Sequence, residues 1–291
     1  MRPRVEKANV RLLISLCFVP SLALGPYAGS GVVQAAGITQ QCHPWGCFKP
    51  GAWRRVRVVK DILNEKGLVS STSITDKKTT LLDIEEDGVT LEDDVVHEVA
   101  GKRFPRDPEM FKEGFHGELV SEGLKTKEAG DGFVVIEDRK IPCKILQLEF
   151  TGPASKTVTN IYYSTQVAPY VLKRHSITTD LKGDNSRSET TSEVVALDMP
   201  CKVLAEIQNT AFVKTVTKHP KGTTTTWAGT SAAVPGGVVW HSSKELDKDG
   251  RLVRRSTLEL VDYGLELDPE RTGLFGRKRW GIFRLPLRQP Q

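Results

Sequence analysis

Trp53-Arg-Arg-Val-Arg-Val-Val59 sets Val56 and Val58 at alternate positions among arginines. A period of two belongs to an extended strand with one buried and one wet face, because successive side chains leave the backbone on opposite sides. The same grammar continues outward. Asn64-Glu-Lys-Gly67 is a turn, and 68–82 returns, rich in Thr, Ser and Val. Asp87-Gly88 is a hairpin signal followed by 89–99, and Ala100-Gly101-Lys102 turns into Arg103-Phe104.

Residues 105–131 are less regular and suit a loop or a short helix. Beyond them, strands are expected at 133–136, 141–150, 156–164, 170–179, 188–197, 201–207, 213–218, 223–229, 237–246 and 251–263, with a polar turn at Glu137-Asp-Arg-Lys140. Connections are short and carry Gly, Asp and Asn, and almost no segment spaces apolar residues at i, i+3 and i+4. A doubly wound α/β fold needs helical crossovers, which are not found. The fold class is therefore all-β or nearly so: a large, curved antiparallel sheet or half-barrel.

An internal echo adds to this. Ile141-Pro-Cys-Lys-Ile-Leu146 returns as Met199-Pro-Cys-Lys-Val-Leu204. At a constant offset of 66, Pro169 matches Pro235, His175-Ser176 matches His241-Ser242, and Thr191, Glu193 and Val195 match Thr257, Glu259 and Val261. Duplication of a multi-strand unit, with units at 141–198 and 199–264, is preferred to chance likeness among β-branched strands. On that reading Cys143 and Cys201 begin equivalent strands.

The first residues divide into three parts. Arg2, Arg4, Lys7 and Arg11 precede the apolar run 12–24, and small residues lead to Val33-Gln-Ala-Ala36. That is the order of a cleavable secretory signal, 1–36, cut after Ala35 or Ala36. A membrane anchor is disfavoured, since the run is shorter than the roughly 20 residues a span needs and Pro20 and Pro26 interrupt it. Leu16 before Cys17 argues against lipidation. The rest has no apolar run long enough to span, so a soluble β domain over 37–268 outside the cytoplasm, periplasmic or extracellular, is expected.

The net charge of +5 is uneven: residues 1–36 carry +3 and the last 21 residues +6, which leaves −4 for the body. The basic tail, 269–291, interleaves Arg277, Lys278, Arg279, Trp280 and Arg284 with apolar residues. It reads either as a surface-binding segment for anionic lipid or envelope polymer, or as an unstructured terminus that lends one strand to the sheet. Export argues against nucleic acid as a partner. Four cysteines follow the signal: Cys42, Cys47, Cys143 and Cys201. An even number in an exported chain suggests disulfides. Of the three pairings, Cys42–Cys47 with Cys143–Cys201 is favoured.

Tyr162-Tyr-Ser-Thr-Gln-Val-Ala-Pro-Tyr-Val-Leu-Lys-Arg174, with Ala233-Val-Pro-Gly-Gly-Val-Val-Trp240 as a looser copy, resembles phrases of the bacterial lipoprotein-carrier (LolA-like) superfamily. His43-Pro-Trp-Gly-Cys-Phe-Lys-Pro-Gly-Ala-Trp53 and Ser256-Thr-Leu-Glu-Leu-Val-Asp262 look similar to secreted proteins of planctomycete type. The resemblance would cover most of 42–264. It implies a half-barrel whose concave apolar face holds lipid or acyl chains; no functional residue carries over, because that superfamily binds through a diffuse surface.

Chemistry-bearing patterns are sparse. His43 between Cys42 and Cys47 lacks the second ligand pair of a zinc site, and a closed loop packing Trp45 is preferred. His175 and His241 have no partnered nucleophile and are expected to face solvent or satisfy a neighbour. No G-x-S-x-G elbow or S-x-x-K element occurs. Thr223-Thr-Thr-Thr226 reads as β-propensity on an exposed face. Glu85-Glu86-Asp87 and Glu92-Asp93-Asp94 lack EF-hand spacing and read as a solvated acidic edge. Gly236-Gly237 is a turn rather than a phosphate loop. No catalytic, cofactor or metal residue is assigned. The leading expectation is a non-enzymatic exported protein binding a hydrophobic ligand or envelope component; the alternatives are an adhesive envelope module and, less favoured, a hydrolase.

Overall fold

The computed structural model describes Gln40 and residues 43–118, 124–182 and 186–266. The signal 1–36, Cys42 and the tail residues Arg277, Lys278, Arg279, Trp280 and Arg284 lie outside them. The described chain is all-β. Its strands are β1 (Trp53–Leu63), β2 (Val69–Ile84), β3 (Gly88–Val99), β4 (Lys102–Pro105), β5 (Glu109–Gly114), β6 (Leu124–Ile136) and β7 (Arg139–Thr151). There follow β8 (Lys156–Tyr163), β9 (Val171–Thr179), β10 (Ser186–Val203), β11 (Glu206–His219), β12 (Gly222–Thr230), β13 (Val238–Asp247) and β14 (Leu252–Gly264).

They form one antiparallel sheet in the order β4-β3-β2-β1-β14-β13-β12-β11-β10-β9-β8-β7-β6, with β5 also on β3. Two hairpin series therefore meet where β1 pairs β14, from Trp53 opposite Gly264 to Ile62 opposite Arg254. The sheet is curved and not closed into a barrel: β6, at one edge, also reaches β8 and β10. Phe115, just after β5, packs both against Leu81, Val89 and Leu91 and against Leu146, Ile161 and Tyr163. Residues from distant parts of the sheet order thus share one ring.

The region expected to be a loop or short helix is strand instead. β4 and β5 lie end to end along β3, at Val96–Val99 and at Gly88–Asp93. Pro108 lies between them, and proline has no N–H to give the ladder. Likewise 188–197 and 201–207 are not two strands. β10 runs through to Val203, and the chain reverses at Leu204, whose φ is 54°.

The ladder registers assign side chains to faces. One row reads Leu146, Ile161, Arg174, Ser192, Thr215, Thr226, Ser243, Ser256 and Lys60 across successive strands. The neighbouring row on that face includes Val194, Val213, Ala228, His241, Leu258 and Val58. This face buries most of the described core, but hydroxyls cross it as well. Thr159–Ser176, Thr190–Thr217, Ser192–Thr215 and Thr226–Ser243 pair across strands at 2.8, 3.1, 2.9 and 2.9 Å. Each such pair contributes about 0.2–1 kcal/mol. The resemblance implied an acyl-lined concave face, whereas this face is largely hydroxyl-paired. Thr226 is buried within it rather than exposed.

The echoed residues occupy the hairpins β9–β10 and β13–β14, but not in the same register. His175 lies opposite Thr191, while His241 lies opposite Leu258. A slip of one position puts the two histidines on opposite faces. Cys143 stands near the start of β7 and Cys201 near the end of β10, so the two do not begin equivalent strands.

Candidate functional site

The β6–β7 hairpin ends in a two-residue turn. Ile136 pairs with Arg139, and Glu137 and Asp138 both take positive φ, 48° and 64°. Hairpins favour this primed geometry because its twist matches that of the strands, although Asn-Gly is its usual sequence. One tie reaches from the turn to β10: the Leu197 N–H donates to Glu137 Oε2 at 3.1 Å. Four places away in the sheet order, β10 is thereby clasped by the tip of the edge hairpin. Val134, Ile136, Ile141 and Cys143 then pack against Leu172, Val194 and Leu197.

A cleft of about 490 Å³ opens beside this clasp. Phe133 and Val135 come from β6, Tyr162 from β8, Lys173 from β9, and Glu193 and Val194 from β10. Phe133 is 53% exposed and Val135 57% exposed, although both lie in an unbroken apolar run. The Lys140 ammonium stands 3.8 Å from the centre of the Phe133 ring. Lys173 lies 5.9 Å from the centre of the Tyr162 ring, and the register sets it between Tyr162 and Glu193. The lining thus mixes apolar side chains with Lys173 and two carboxylates, Glu137 and Glu193.

None of these residues stands out in the sequence as a site. Two signals are present there: Phe133-Val-Val-Ile136 is continuous rather than alternating, and Tyr162 and Lys173 belong to the LolA-like phrase 162–174. Neither signal says that the two stretches meet.

The residues that sequence patterns point to lie elsewhere. His43 is buried; its Nδ1 accepts the Trp45 N–H at 3.3 Å, and its Nε2 stands 3.6 Å from Glu113 Oε1. Trp45 is buried as expected, with the Arg54 guanidinium 5.5 Å from its ring centre and donating to the Gly236 carbonyl at 2.8 Å. Burial works to lower the Arg54 pKa, against Asp93 and Glu113. Nearby, His116 Nδ1 lies 3.0 Å from Glu118 Oε1, and Arg174 donates to the His116 carbonyl. These groups fasten the segment before β1 and the turn after β5 onto the sheet.

His175 Nε2 meets Glu189 at 3.0 Å on the open face. His241, by contrast, neither faces solvent nor satisfies a neighbour through Nδ1, which is buried without a hydrogen bond; burial pulls its pKa down to about 4. The acidic runs are not a solvated edge throughout. Lys112 bridges Glu85 and Asp87 at 2.8 and 2.6 Å, and Asp93 takes Lys77 at 2.6 Å and the Thr79 hydroxyl at 2.7 Å. Gly236 and Gly237 do form a turn, with φ of 72° and 76°.

The expected Cys143–Cys201 disulfide is absent. Both thiols are free, and β8 and β9 separate their strands in the sheet. The tip that carries Cys143 packs on β10 at Val194 and Leu197. Cys201 lies four residues beyond Leu197, about 13 Å at about 3.3 Å per residue and past the roughly 7 Å limit between bridged Cα atoms. Burial raises the Cys143 thiol pKa. Cys47 is exposed, and Cys42 lies outside the described residues.

No family model matches the chain, and no curated protein matches it. Two solved structures are similar. A Bacteroides fragilis protein assigned as exported, with a YmcC-like fold, is 9% identical, covers 75% of this chain and 97% of its own, and has a TM-score of 0.31. A Parabacteroides distasonis protein assigned as a lipoprotein is 15% identical, covers 74% and 97%, and has a TM-score of 0.28.

Proposed function

We propose that the chain is an exported, non-enzymatic β protein that holds a hydrophobic ligand, or an envelope component of that chemistry, in the cleft beside the β6–β7 turn. The observation that carries this reading is the exposure of Phe133 and Val135 at a cleft of about 490 Å³. Such a volume falls within the range of roughly 300–1,000 Å³ typical of small-molecule sites. Contiguous apolar side chains kept in water are a feature of interaction surfaces. The broad sheet face is a poorer candidate, because its hydroxyls are paired to one another and its apolar rows are packed.

The test is organic extraction of the purified protein followed by mass spectrometry, on wild type and on a Phe133→Asp, Val135→Asp double variant. Both side chains are exposed, so the variant should keep the wild-type circular dichroism. Lipid recovered from wild type and lost from the variant supports the reading. Clean wild-type protein, or equal recovery from both, overturns it.

A further inference from the structure

Antiparallel strands reverse at each connection, so the turns of the sheet alternate between its two rims. Six of them reach one rim: 63–69, 99–102, 151–156, 179–186, 219–222 and 247–252. Their strand ends lie side by side, with Ser73 opposite Val99, Ile62 opposite Arg254, Gly222 opposite Asp247 and Lys156 opposite Thr179. Each of the six carries a lysine: Lys66, Lys102, Lys156, Lys182, Lys221 and Lys248. The five turns of the other rim, 84–88, 136–139, 163–171, 203–206 and 230–238, contain none; the connections before and after β5 lie outside both sets. With Glu65, Asp180, Asp184, Asp247 and Asp249 included, the first set carries +2, and the second carries −5. Lys156 is held by Glu149 at 2.8 Å, while the other five lysines enter no ion pair among the described residues.

The same rim keeps apolar side chains in water. Leu68 is 63% exposed and Leu181 55%, and Val69 and Val99 are exposed with them. The Asn64 side chain accepts the N–H groups of Lys66 and Leu68, both at 3.0 Å, so the β1–β2 turn presents that lysine and leucine from a fixed backbone. Leucine stands near lysine again at Leu181-Lys182. At a membrane interface such a pair divides its work: the apolar group enters the acyl boundary and the ammonium stays among the head groups. We propose that this rim docks on an anionic lipid surface. A neutral surface would gain the few leucines and valines alone, whereas an anionic one also attracts the unpaired ammonium groups. The β6–β7 turn and the cleft beside it belong to the other rim, so the docking stands or falls separately from the proposed function.

Sedimentation of the purified protein with vesicles at low ionic strength tests this, using phosphatidylcholine alone and an equimolar mixture with phosphatidylglycerol. Wild type should favour the mixed vesicles by at least about tenfold and lose the preference in high salt. Lys66→Gln with Lys182→Gln should weaken binding to the mixed vesicles by about ten- to thirtyfold. Leu68→Ser with Leu181→Ser should weaken it as well. Lys202→Gln, which removes a charge beside the β10–β11 turn of the other rim, should leave binding unchanged. These side chains are all exposed, so each variant should keep the wild-type circular dichroism. Equal binding of wild type to the two kinds of vesicle overturns the proposal. Wild-type binding by either double variant also overturns it and assigns the lipid contact to the tail 269–291. A dimer lost in the leucine variant, with no vesicle binding, overturns it by making the rim a contact between copies of the chain.

Discussion

Glu137 reaches from the β6–β7 turn to accept the Leu197 N–H of β10 at 3.1 Å, joining two strands that the sheet order sets four places apart. Beside that tie, the hairpin tip rests on the packing of Val134, Ile136, Ile141 and Cys143. A hydrogen bond to a charged acceptor contributes about 1.5–3 kcal/mol. Glu137→Ala should therefore lower global stability by about 1–2 kcal/mol and speed exchange of the Leu197 amide well beyond that of its neighbours. It should also weaken binding at the cleft. An unchanged Leu197 exchange rate, measured by NMR, would show that the carboxylate does not hold the tip.

His241 is 5% exposed between Ala228 and Leu258, and its pKa falls to about 4 from the usual 6.5 because burial disfavours the charged ring. A folded-state value below the unfolded one means that the unfolded chain binds the proton more readily. Stability is full above pH 6.5 and declines as the pH falls towards 4, by up to about 3 kcal/mol. His97, whose pKa is also lowered by burial and by Arg106, acts in the same direction. Urea midpoints of wild type should drop between pH 7 and 4.5, and His241→Leu should flatten that slope. Parallel slopes for the two proteins would assign the acid sensitivity elsewhere.

The thiols of Cys143 and Cys201 should behave differently. Cys143 is buried and its pKa is raised, so maleimide should label it only after denaturation; Cys201 is half-buried and should react in the native protein. Cys201→Ser should leave Cys143 protected. A cross-linked peptide joining Cys143 to Cys201 in non-reducing mass spectrometry would contradict a sheet in which β8 and β9 lie between their strands.

Gly229 lies opposite Trp240, and a Cβ built on it would stand 2.2 Å from Trp240 Nε1. The indole packs edge-on to Phe212, with ring centres 5.5 Å apart, so it has little freedom to retreat. Gly229→Ala should cost about 1–3 kcal/mol through overpacking and shift the tryptophan emission. A variant with wild-type stability and emission would mean that the indole finds another rotamer at no cost.

Much of the fold was legible because hairpins are local. Alternation over Trp53–Leu63 and turn residues at Gly67, Gly101 and Gly250 are properties of a few neighbouring residues, and each of these glycines takes a positive φ. Less was legible where the ladder shifts. Bulges between Arg55 and Val56, Glu128 and Gly130, and Val194 and Ala196 each move a strand by a residue or more relative to its partner. Such a shift changes which side chains are inside while the composition stays the same. The echo failed on this point: it aligned His175 with His241, but a one-position difference in pairing left one on the open face and buried the other.

The sequence by itself determined that the chain is a succession of antiparallel strands, because side-chain alternation and turn chemistry act over two to five residues. Only the tertiary structure decided that β1 closes onto β14, that β5 continues β4 along β3, and that the β6–β7 tip bends over β10. Those contacts join residues tens to hundreds of positions apart. Their free energy comes from burial and register across the curved sheet, which no local pattern encodes. The cleft draws its lining from β6, β8, β9 and β10, strands that no local pattern brings together.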